Sequence, residues 1–199
     1  MPGPGGDSRL DAAVDTAFRA DGPLARAQPG YVARVGQREM ALAVARAIAC
    51  AGLHSGPADP EASATLVAEA GTGTGKTFAY LVPALLSGGR ILISTGTRNL
   101  QDQLYHRDLP RVRDALGVGV TTALLKGRSN YVCRHHLQRN LEEGRFERRE
   151  DIAVLRRIER FAAISGSGDR SEAPGIAEDA PAWARATSTR ENCLGQDCP

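Results

Sequence analysis

The chain has 199 residues, of which 42% are hydrophobic and 24% are charged, and its formal net charge is +2. These fractions are typical of globular proteins, and so small a net charge excludes nucleic-acid binding through bulk charge, so that any such binding must be local. No apolar run is long enough to span a membrane, and the N-terminus lacks the apolar core of a signal peptide. We therefore expect a cytoplasmic, reducing location, which disfavours disulfides among the cysteines.

The first part of the chain is predicted to be helical. Residues 1–30 are predicted to form a flexible leader, rich in Pro and Gly at its start, that contains a short helix at 10–20. In the following segment, GQREMALAVARAIACAG, the apolar residues Met40, Val44 and Ile48 recur every fourth position. This spacing predicts an amphipathic helix that buries these three side chains.

Three apolar runs then alternate with helical segments. The runs ATLVAEA (64–70), RILIST (90–95) and VTTALLK (120–126) predict strands. Between them lie two predicted helices, GKTFAYLVPALLSG, which Pro83 should bend or bring to its last turns, and LQDQLYHRDL. Strand and helix in alternation predict an α/β domain with a parallel sheet.

After residue 126 the sequence pattern predicts helices only. RHHLQRNLEEG and REDIAVLRRIERFAAI have helical patterns, whereas residues 165–181 have the composition of a linker, to which we assign no structure. We therefore expect an α/β domain at 31–126, followed by a helical segment at 127–199 that carries cysteines.

The most specific motif is AGTGTGKT (70–77), which lies between a predicted strand and a predicted helix. It matches the phosphate-loop pattern G-x-x-x-x-G-K-[ST] except that Ala70 stands at the first position. Glycines let successive backbone N–H groups point at phosphate oxygens, and the start of the helix adds its positive dipole end. The predicted nucleotide contacts in this loop are Gly71, Thr72, Gly73, Thr74, Gly75, Lys76 and Thr77.

Two residues of this loop carry the chemistry. Lys76 is expected to neutralise the β- and γ-phosphates of ATP, and the Thr77 hydroxyl is expected to help hold Mg²⁺. Hydrolysis also needs an acidic pair on a neighbouring strand. No apolar strand in this sequence is followed by such a pair, so we expect the catalytic acid to lie outside the chain.

Four stretches together carry a resemblance to a known family: RVGQREM (34–40), EAGTGTGKT (69–77), ISTGTRNLQDQL (93–104) and KGRSNYVC (126–133). They resemble the N-terminal part of the DinG-type bacterial helicases, including the YoaA branch, which are relatives of the XPD helicases of superfamily 2. RVGQREM (34–40) resembles the Q motif of that family, in which a glutamine, here Gln37, reads the adenine edge. EAGTGTGKT (69–77) is similar to its first helicase motif, and ISTGTRNLQDQL (93–104) to its motif Ia. KGRSNYVC (126–133) resembles a K-G-R-x-N-Y-x-C pattern that ends in a ligand of an iron–sulfur cluster.

The resemblance implies contacts to single-stranded DNA. In the family, motif Ia holds the sugar–phosphate backbone, for which hydroxyl groups and helix N-terminal amides are suited. The lysine and arginine of KGRSNYVC are further candidates for phosphate contacts, and Tyr131 is available for stacking or packing. The implied DNA contacts are Thr95, Thr97, Gln101, Lys126 and Arg128.

The resemblance also implies an iron–sulfur site. Clusters of the [4Fe–4S] type are held by four thiolates, and the implied ligands in this chain are Cys133, Cys193 and Cys198, with the fourth expected outside it. Cys50 is expected to be a small buried thiol. A Cys₄ zinc site would show two short Cys-x₂₋₄-Cys pairs, and a zinc set that includes His135 and His136 is disfavoured because adjacent histidines point to different faces of a helix.

Taken together, the resemblance implies an incomplete RecA-like P-loop NTPase sheet at 31–126 with a helical insertion at 127–199 that is part of an iron–sulfur domain. The implied activity is ATP-driven 5′-to-3′ unwinding of forked DNA in repair or replication near the nucleoid, with ATP, Mg²⁺ and a [4Fe–4S] cluster. We expect the chain alone not to unwind DNA. Two alternatives remain: an ATP-binding regulatory or assembly module, and a P-loop kinase, against which Gln37 and TGTRNLQDQL argue.

Overall fold

The structure is a computed structural model that describes residues 8–51, 63–143, 146 and 149–199. The chain divides into two compact units, which we call unit 1 (Met1–Ala123) and unit 2 (Leu124–Pro199). Residues 1–7 of the predicted leader lie outside the described residues. No helix in the described ranges is both long enough and apolar enough to cross a membrane.

Unit 1 contains helices that are joined by segments without regular secondary structure. The α-helices described in it are α1 (Ser8–Ala17), α2 (Pro23–Ala27), α3 (Val35–Cys50), α4 (Lys76–Leu86), α5 (Arg98–Gln103) and α6 (Leu109–Leu116).

The predicted short helix in the leader is confirmed as α1, and it belongs to the core of unit 1. Val14 is fully buried in a cluster that also contains Phe18 and Leu24. An ion pair holds α1 to α3, because the Arg38 Nε donates to Asp15 at 2.6 Å. Residues 8–27 are therefore part of the folded unit instead of a flexible leader.

Helix α3 buries a different stripe from the one predicted. Ala41 and Ala45 are fully buried, whereas Met40, Val44 and Ile48 are only half-buried. The helix packs against α4, and alanine at the centre of the contact lets the two backbones approach closely. Cys50 lies on the opposite side of the helix from Ala41 and is exposed, so the expectation of a buried thiol was wrong.

The helix after motif Ia is longer than predicted and contains one wide turn. Between α5 and α6, residues Leu104–Asp108 form a π-helical turn in which the Leu109 N–H donates to the Leu104 carbonyl. Pro110 follows directly, and proline has no N–H and crowds the carbonyl four residues before it. A π turn at this place gives the proline ring the space that a regular helix would deny it. In α4, by contrast, Pro83 lies in the last turn, as predicted.

The three runs predicted as strands form no sheet among the described residues. Residues 64–70, 90–95 and 120–126 form no β-strand. Their apolar side chains are largely exposed, with Val67 at 91% and Leu92 at 94%. Parallel strands need hydrogen-bonding neighbours on their edges and helices on both faces. The expected parallel sheet is therefore not observed, because the three runs do not pair with one another.

Unit 2 folds around a second apolar cluster. Leu155, Ile158 and Trp183 are buried together with Leu137 and Ala186. The helical elements described in this unit are 3₁₀ turns at Arg128–Asn130, Arg170–Glu172 and Gly195–Asp197, and α7 (Arg134–Glu143), α8 (Arg149–Ile164) and α9 (Trp183–Ala186). The predicted helices RHHLQRNLEEG and REDIAVLRRIERFAAI are confirmed as α7 and α8.

The interpretation of residues 165–181 as a linker without structure was wrong. Ala173 and Ile176 are buried in the unit 2 cluster, and the Trp183 indole donates to the Ala177 carbonyl at 2.9 Å. Asp169 is buried as well and pairs with Lys126. The low hydrophobicity of the segment reflects polar residues that have partners in the fold, and such partners do not appear in local composition.

The unit 2 core can be tested through its single tryptophan. Leu155 is fully buried, so Leu155→Ala should lower the free energy of unfolding by about 2–5 kcal/mol through lost burial and a residual cavity. Trp183 is the only tryptophan, and its fluorescence during denaturant unfolding reports on this core. Ile152 in the same helix is 36% exposed, and Ile152→Ala should cost only about 0.5 kcal/mol. Equal losses for the two variants would contradict this core assignment.

Unit 2 should also lose stability in acid through Asp169. Burial tends to raise the pKa of this carboxyl. Lys126 and Ser171 outweigh that effect, so the pKa lies below its ordinary value of 3.8. The stabilisation from the ionised carboxylate is therefore fully present above that ordinary value and is lost as the pH falls through the lowered one.

This predicts that Asp169→Asn reduces the difference in unfolding free energy between about pH 6 and about pH 3, measured by Trp183 fluorescence. Glu159 belongs to an exposed ion pair in the same unit, and Glu159→Gln should leave the difference unchanged. An unaltered difference in the Asp169 variant would contradict the assignment.

Candidate nucleotide and cysteine sites

The phosphate-loop motif folds as a tight turn that leads into α4. Gly73 and Gly75 have positive φ angles of 75° and 86°, which side chains rarely tolerate. Gly75 is the N-cap of α4, and the helix begins at Lys76. The predicted loop residues are therefore brought to the N-terminal end of an apolar helix, where a loop of this kind can receive an anion.

The Lys76 ammonium group is directed back into the loop. Its Nζ donates to the Ala70 carbonyl at 2.5 Å and to the Gly71 carbonyl at 2.6 Å. These two carbonyl oxygens accept hydrogen bonds from the ammonium group within the loop itself. Binding of a phosphate would replace neutral carbonyl acceptors with charged oxygens, to which hydrogen bonds are stronger.

The start of α3 contacts the same loop. The Gln37 side-chain amide donates to the Gly75 carbonyl at 2.9 Å, and the Arg34 guanidinium donates to the Gly73 carbonyl. Gln37 was predicted from the sequence to read adenine, whereas Arg34 was not predicted to contact the loop. The available signal was its place at the N-cap of α3, three residues before Gln37.

Tyr80 was also missed. Its phenol hydrogen-bonds with Thr77, the predicted Mg²⁺ ligand, and burial raises the pKa of the phenol, with a smaller contribution from the negative charge of Asp108. Tyr80 lies one helical turn after Lys76 in α4. Its spacing from Thr77 on one face of the helix was the signal that could have identified it.

The candidate DNA contacts of motif Ia lie at the start of α5. Thr97 is the N-cap of this helix, and its hydroxyl accepts from the Leu100 N–H at 3.3 Å. The Thr95 hydroxyl donates to the Thr97 carbonyl at 3.2 Å. Thr97 and Gln101 are both in this segment, with Thr97 exposed and Gln101 half-buried. The structure thus groups these three residues, while their role towards DNA stays a prediction.

The two basic residues of KGRSNYVC differ in their surroundings. The Lys126 side chain is 5% exposed and lies 2.8 Å from an Asp169 carboxylate oxygen. Arg128 is exposed and interacts with the thiol of Cys193 and with Glu191. Only Arg128 therefore presents an accessible positive charge from this segment.

Unit 2 brings its three cysteines to one region, whereas Cys50 belongs to unit 1. Cys133 and Cys198 both line an open cavity of about 820 Å³. Cys193 interacts with Arg128 and Ser188, and both of these residues line the same cavity. The sequence separation between Cys133 and the C-terminal pair is therefore closed by the fold.

Backbone hydrogen bonds hold the two cysteine segments in place. The Cys133 N–H donates to the Ala186 carbonyl at 2.7 Å, and the Cys133 carbonyl accepts from Leu137 in the first turn of α7. A ring nitrogen of His136 lies 3.1 Å from the Asn192 carbonyl. His136 is thus used to hold the segment before Cys193, whereas His135 lines the cavity.

The environment of Cys193 favours its thiolate. A hydrogen bond from the Gly195 backbone N–H lowers the pKa of the thiol below its ordinary value, burial opposes this, and the Arg128 charge adds to the lowering. Thiolates are the form that binds metals. Across the ranges that the structure describes, however, no group of three or more His, Cys, Asp or Glu residues is arranged to hold a metal ion.

Comparison with known proteins identifies the family. The DEAD/DEAH box helicase model matches residues 57–144, which include the phosphate loop. The chain is 46% identical over 185 residues to ATP-dependent DNA helicase YoaA of Escherichia coli (strain K12), an alignment that covers 92% of this chain. The chain therefore contains a DEAD/DEAH box helicase region and is similar over most of its length to ATP-dependent helicases. This match implies the P-loop NTPase fold, although the described residues do not form its sheet.

Two further relatives support this helicase assignment. ATP-dependent DNA helicase YoaA of Haemophilus influenzae (strain ATCC 51907 / DSM 11121 / KW20 / Rd) is 43% identical, with 92% of this chain covered. ATP-dependent helicase DinG of Mycobacterium tuberculosis (strain ATCC 25177 / H37Ra) is 35% identical, with 88% of this chain covered. The chain spans 27% of the length of either YoaA protein and 28% of that DinG protein.

Because α3 approaches the phosphate loop closely, alanine substitutions at two glycines of the loop should differ strongly in their effect on stability. A Cβ at Gly75 would lie 2.1 Å from the Gln37 Nε2, and its φ of 86° is unfavourable for other residues. Gly75→Ala should therefore lower the free energy of unfolding by about 1–3 kcal/mol. A Cβ at Gly71 would meet only a Thr74 methyl at 3.9 Å, so Gly71→Ala should be nearly neutral. Urea unfolding followed by circular dichroism distinguishes the two, and equal effects would contradict the described loop.

Proposed function

We propose that this chain supplies the ATP-binding part and a cysteine-bearing DNA-contacting part of an ATP-dependent DNA helicase of the DinG/YoaA type. The main support is the contact of Gln37 with the Gly75 carbonyl, because it brings a second nucleotide-recognition residue to the phosphate loop. A glycine-rich turn alone would account for phosphate binding. The added glutamine is what the resemblance to these helicases requires, and the names of the relatives agree with it.

The nucleotide would be held from two sides. Backbone groups of Gly71, Thr72, Gly73, Thr74 and Gly75, together with the side chain of Lys76, would bind its phosphates, and Gln37 would read the adenine. The Thr77 hydroxyl would help to hold Mg²⁺, which would neutralise the charge of the phosphates. Tyr80 would orient that hydroxyl, because its phenol hydrogen-bonds with Thr77.

Single-stranded DNA would be bound through its backbone. Thr95, Thr97 and Gln101 would contact sugar and phosphate groups from the motif Ia segment, and Arg128 would supply a positive charge. These contacts read no base edges, so binding would be independent of sequence. Lys126, which was predicted as a fifth contact, is buried against Asp169 in the structure.

A [4Fe–4S] cluster would be held by Cys133, Cys193 and Cys198 together with a fourth thiolate outside the chain. The support is the shared cavity of Cys133 and Cys198 and the interaction of Cys193 with residues that line it. Such a cluster supplies thiolate-bound iron whose charge and exposure set its potential. The protein's contribution would be the turn that presents Cys193 and the Gly195 N–H bonded to its sulfur.

The finer parts of the proposal follow from the resemblance: 5′-to-3′ unwinding of forked DNA, in repair or replication, close to the nucleoid. The chain by itself would bind ATP and single-stranded DNA without unwinding a duplex. A protein that contains this chain and has the length of its relatives would couple hydrolysis to unwinding. The alternative, a regulatory or assembly module, would bind ATP without any response to DNA.

Binding of a fluorescent ATP analogue with Mg²⁺ tests the nucleotide site. Lys76→Ala should weaken binding by at least about tenfold, since a hydrogen bond to a charged group contributes roughly 1.5–3 kcal/mol. Arg90 is an exposed basic residue of unit 1, and Arg90→Ala is the control. Fluorescence anisotropy measured on residues 1–199 gives both affinities, and equal affinities for the two variants would exclude the proposed site.

The longer protein tests the helicase proposal itself. Single-stranded DNA should stimulate its ATP hydrolysis, and forks with a 5′ tail should be unwound in preference to forks with a 3′ tail. Hydrolysis that does not respond to DNA would support the regulatory module instead. Unwinding by residues 1–199 alone would contradict the proposal that this chain binds ATP and DNA without unwinding a duplex.

A further inference from the structure

The segment before Cys133 begins with a buried ion pair. The Lys126 Nζ lies 2.8 Å from the Asp169 Oδ2, and the two side chains are 5% and 8% exposed. The other oxygen of Asp169 accepts hydrogen bonds from the Ser171 N–H at 2.9 Å and from the Ser171 hydroxyl at 2.8 Å. The Lys126 ammonium also reaches the Ser171 hydroxyl at 3.3 Å. Both charges are thus paired and hydrogen-bonded away from water.

The same two chain segments are joined again next to Cys133. Tyr131 and Asp169 form an antiparallel β-bridge, and the Val132 N–H donates to the Gly168 carbonyl at 2.9 Å. The Tyr131 hydroxyl in turn accepts from the Lys126 backbone N–H at 2.8 Å. Residues 126–132 are therefore held at both ends by 168–171, and Cys133 is the next residue.

We propose that Lys126 and Asp169 are positioning residues that together fix Cys133 at the cavity it shares with Cys198. Asp169 holds the Lys126 end through the ion pair and the Val132 end through the bridge, so the orientation of the Cys133 thiol depends on both. The role of this thiol as a cluster ligand rests on the proposed function. The dependence of its position on the ion pair is independent of the proposed function.

This role competes with direct DNA binding by Lys126. To reach a phosphate, the ammonium would have to leave Asp169, and a carboxylate would then remain buried without its partner. An unpaired buried charge is strongly destabilising, whereas removal of both charges together is often tolerated. The geometry thus favours a lysine that acts inside the protein, with Arg128 as the exposed basic residue of the motif.

Thiol labelling of Cys133 tests the inference without requiring a cluster. In the full chain with Cys50, Cys193 and Cys198 replaced by Ser, both Lys126→Met and Asp169→Asn should raise the alkylation rate of Cys133 about tenfold, because either change opens the segment locally. The double variant Lys126→Met/Asp169→Leu should be no faster than the single ones. Lys126→Arg, which keeps the charge, should restore most of the protection. Arg156→Met, which breaks an exposed ion pair of unit 2, should have no effect.

DNA affinity distinguishes a Lys126 that contacts phosphate from a Lys126 that only positions Cys133. If Lys126 contacts phosphate, Lys126→Met lowers the slope of log affinity against log salt by about one. In that case Asp169→Asn tightens DNA binding by freeing the lysine. That result, combined with an unchanged labelling rate of Cys133, would overturn the inference.

Iron content separates the inference from the proposed function. In the longer protein purified without oxygen, Asp169→Asn should reduce bound iron and the broad visible absorption, whereas Arg156→Met should not. Faster labelling of Cys133 with unchanged iron would support the positioning role and would remove Cys133 from the ligand set. Unchanged labelling in both single variants would refute the positioning role whatever the iron content.

Discussion

The packing of α3 against α4 is the contact on which the geometry of unit 1 depends. It places Gln37 on the Gly75 carbonyl and Arg34 on the Gly73 carbonyl, so the phosphate loop is supported from the side of α3. The contact is possible because Gly75 has no Cβ, as a methyl group there would collide with the Gln37 amide. Glycine is thus favoured at Gly75 chiefly by the left-handed backbone, and a methyl group there would also displace the Gln37 amide.

A second constraint acts on the apolar runs between the helices. A strand of a parallel sheet is stabilised only when neighbouring strands satisfy its backbone groups and helices cover both faces. The runs at 64–70, 90–95 and 120–126 have the composition of such strands but leave Val67 and Leu92 exposed. Helices satisfy their own hydrogen bonds, so α3 and α4 form a core, whereas these runs form no strand pairing with one another among the described residues.

The difference between local and non-local hydrogen bonding explains how much of the structure the sequence could predict. Helices α1, α4, α7 and α8 and the phosphate loop follow from patterns a few residues long. The buried stripe of α3 lies one residue away from the predicted one. The packing against α4, and not the hydrophobicity of α3 itself, determines that Ala41 and Ala45 are buried. Arg34 was missed for a related reason, since it acts through Gly73, which only the folded chain brings close. Tyr80 was missed although its partner Thr77 lies only three residues before it in α4.

Unit 2 shows the same rule for charged residues. Lys126 and Arg128 have equal claims as phosphate contacts in the sequence, because each is basic and they lie two positions apart. The fold separates them, as Lys126 meets Asp169 in a segment whose composition predicts a linker, and Arg128 stays exposed beside Cys193. The Lys126 ammonium is occupied by one carboxylate and one hydroxyl, whereas the Arg128 guanidinium, with its several donors, lies exposed beside the Cys193 thiol. Residue type thus becomes informative only once the partner is known, and for Lys126 that partner lies more than forty residues further along the chain.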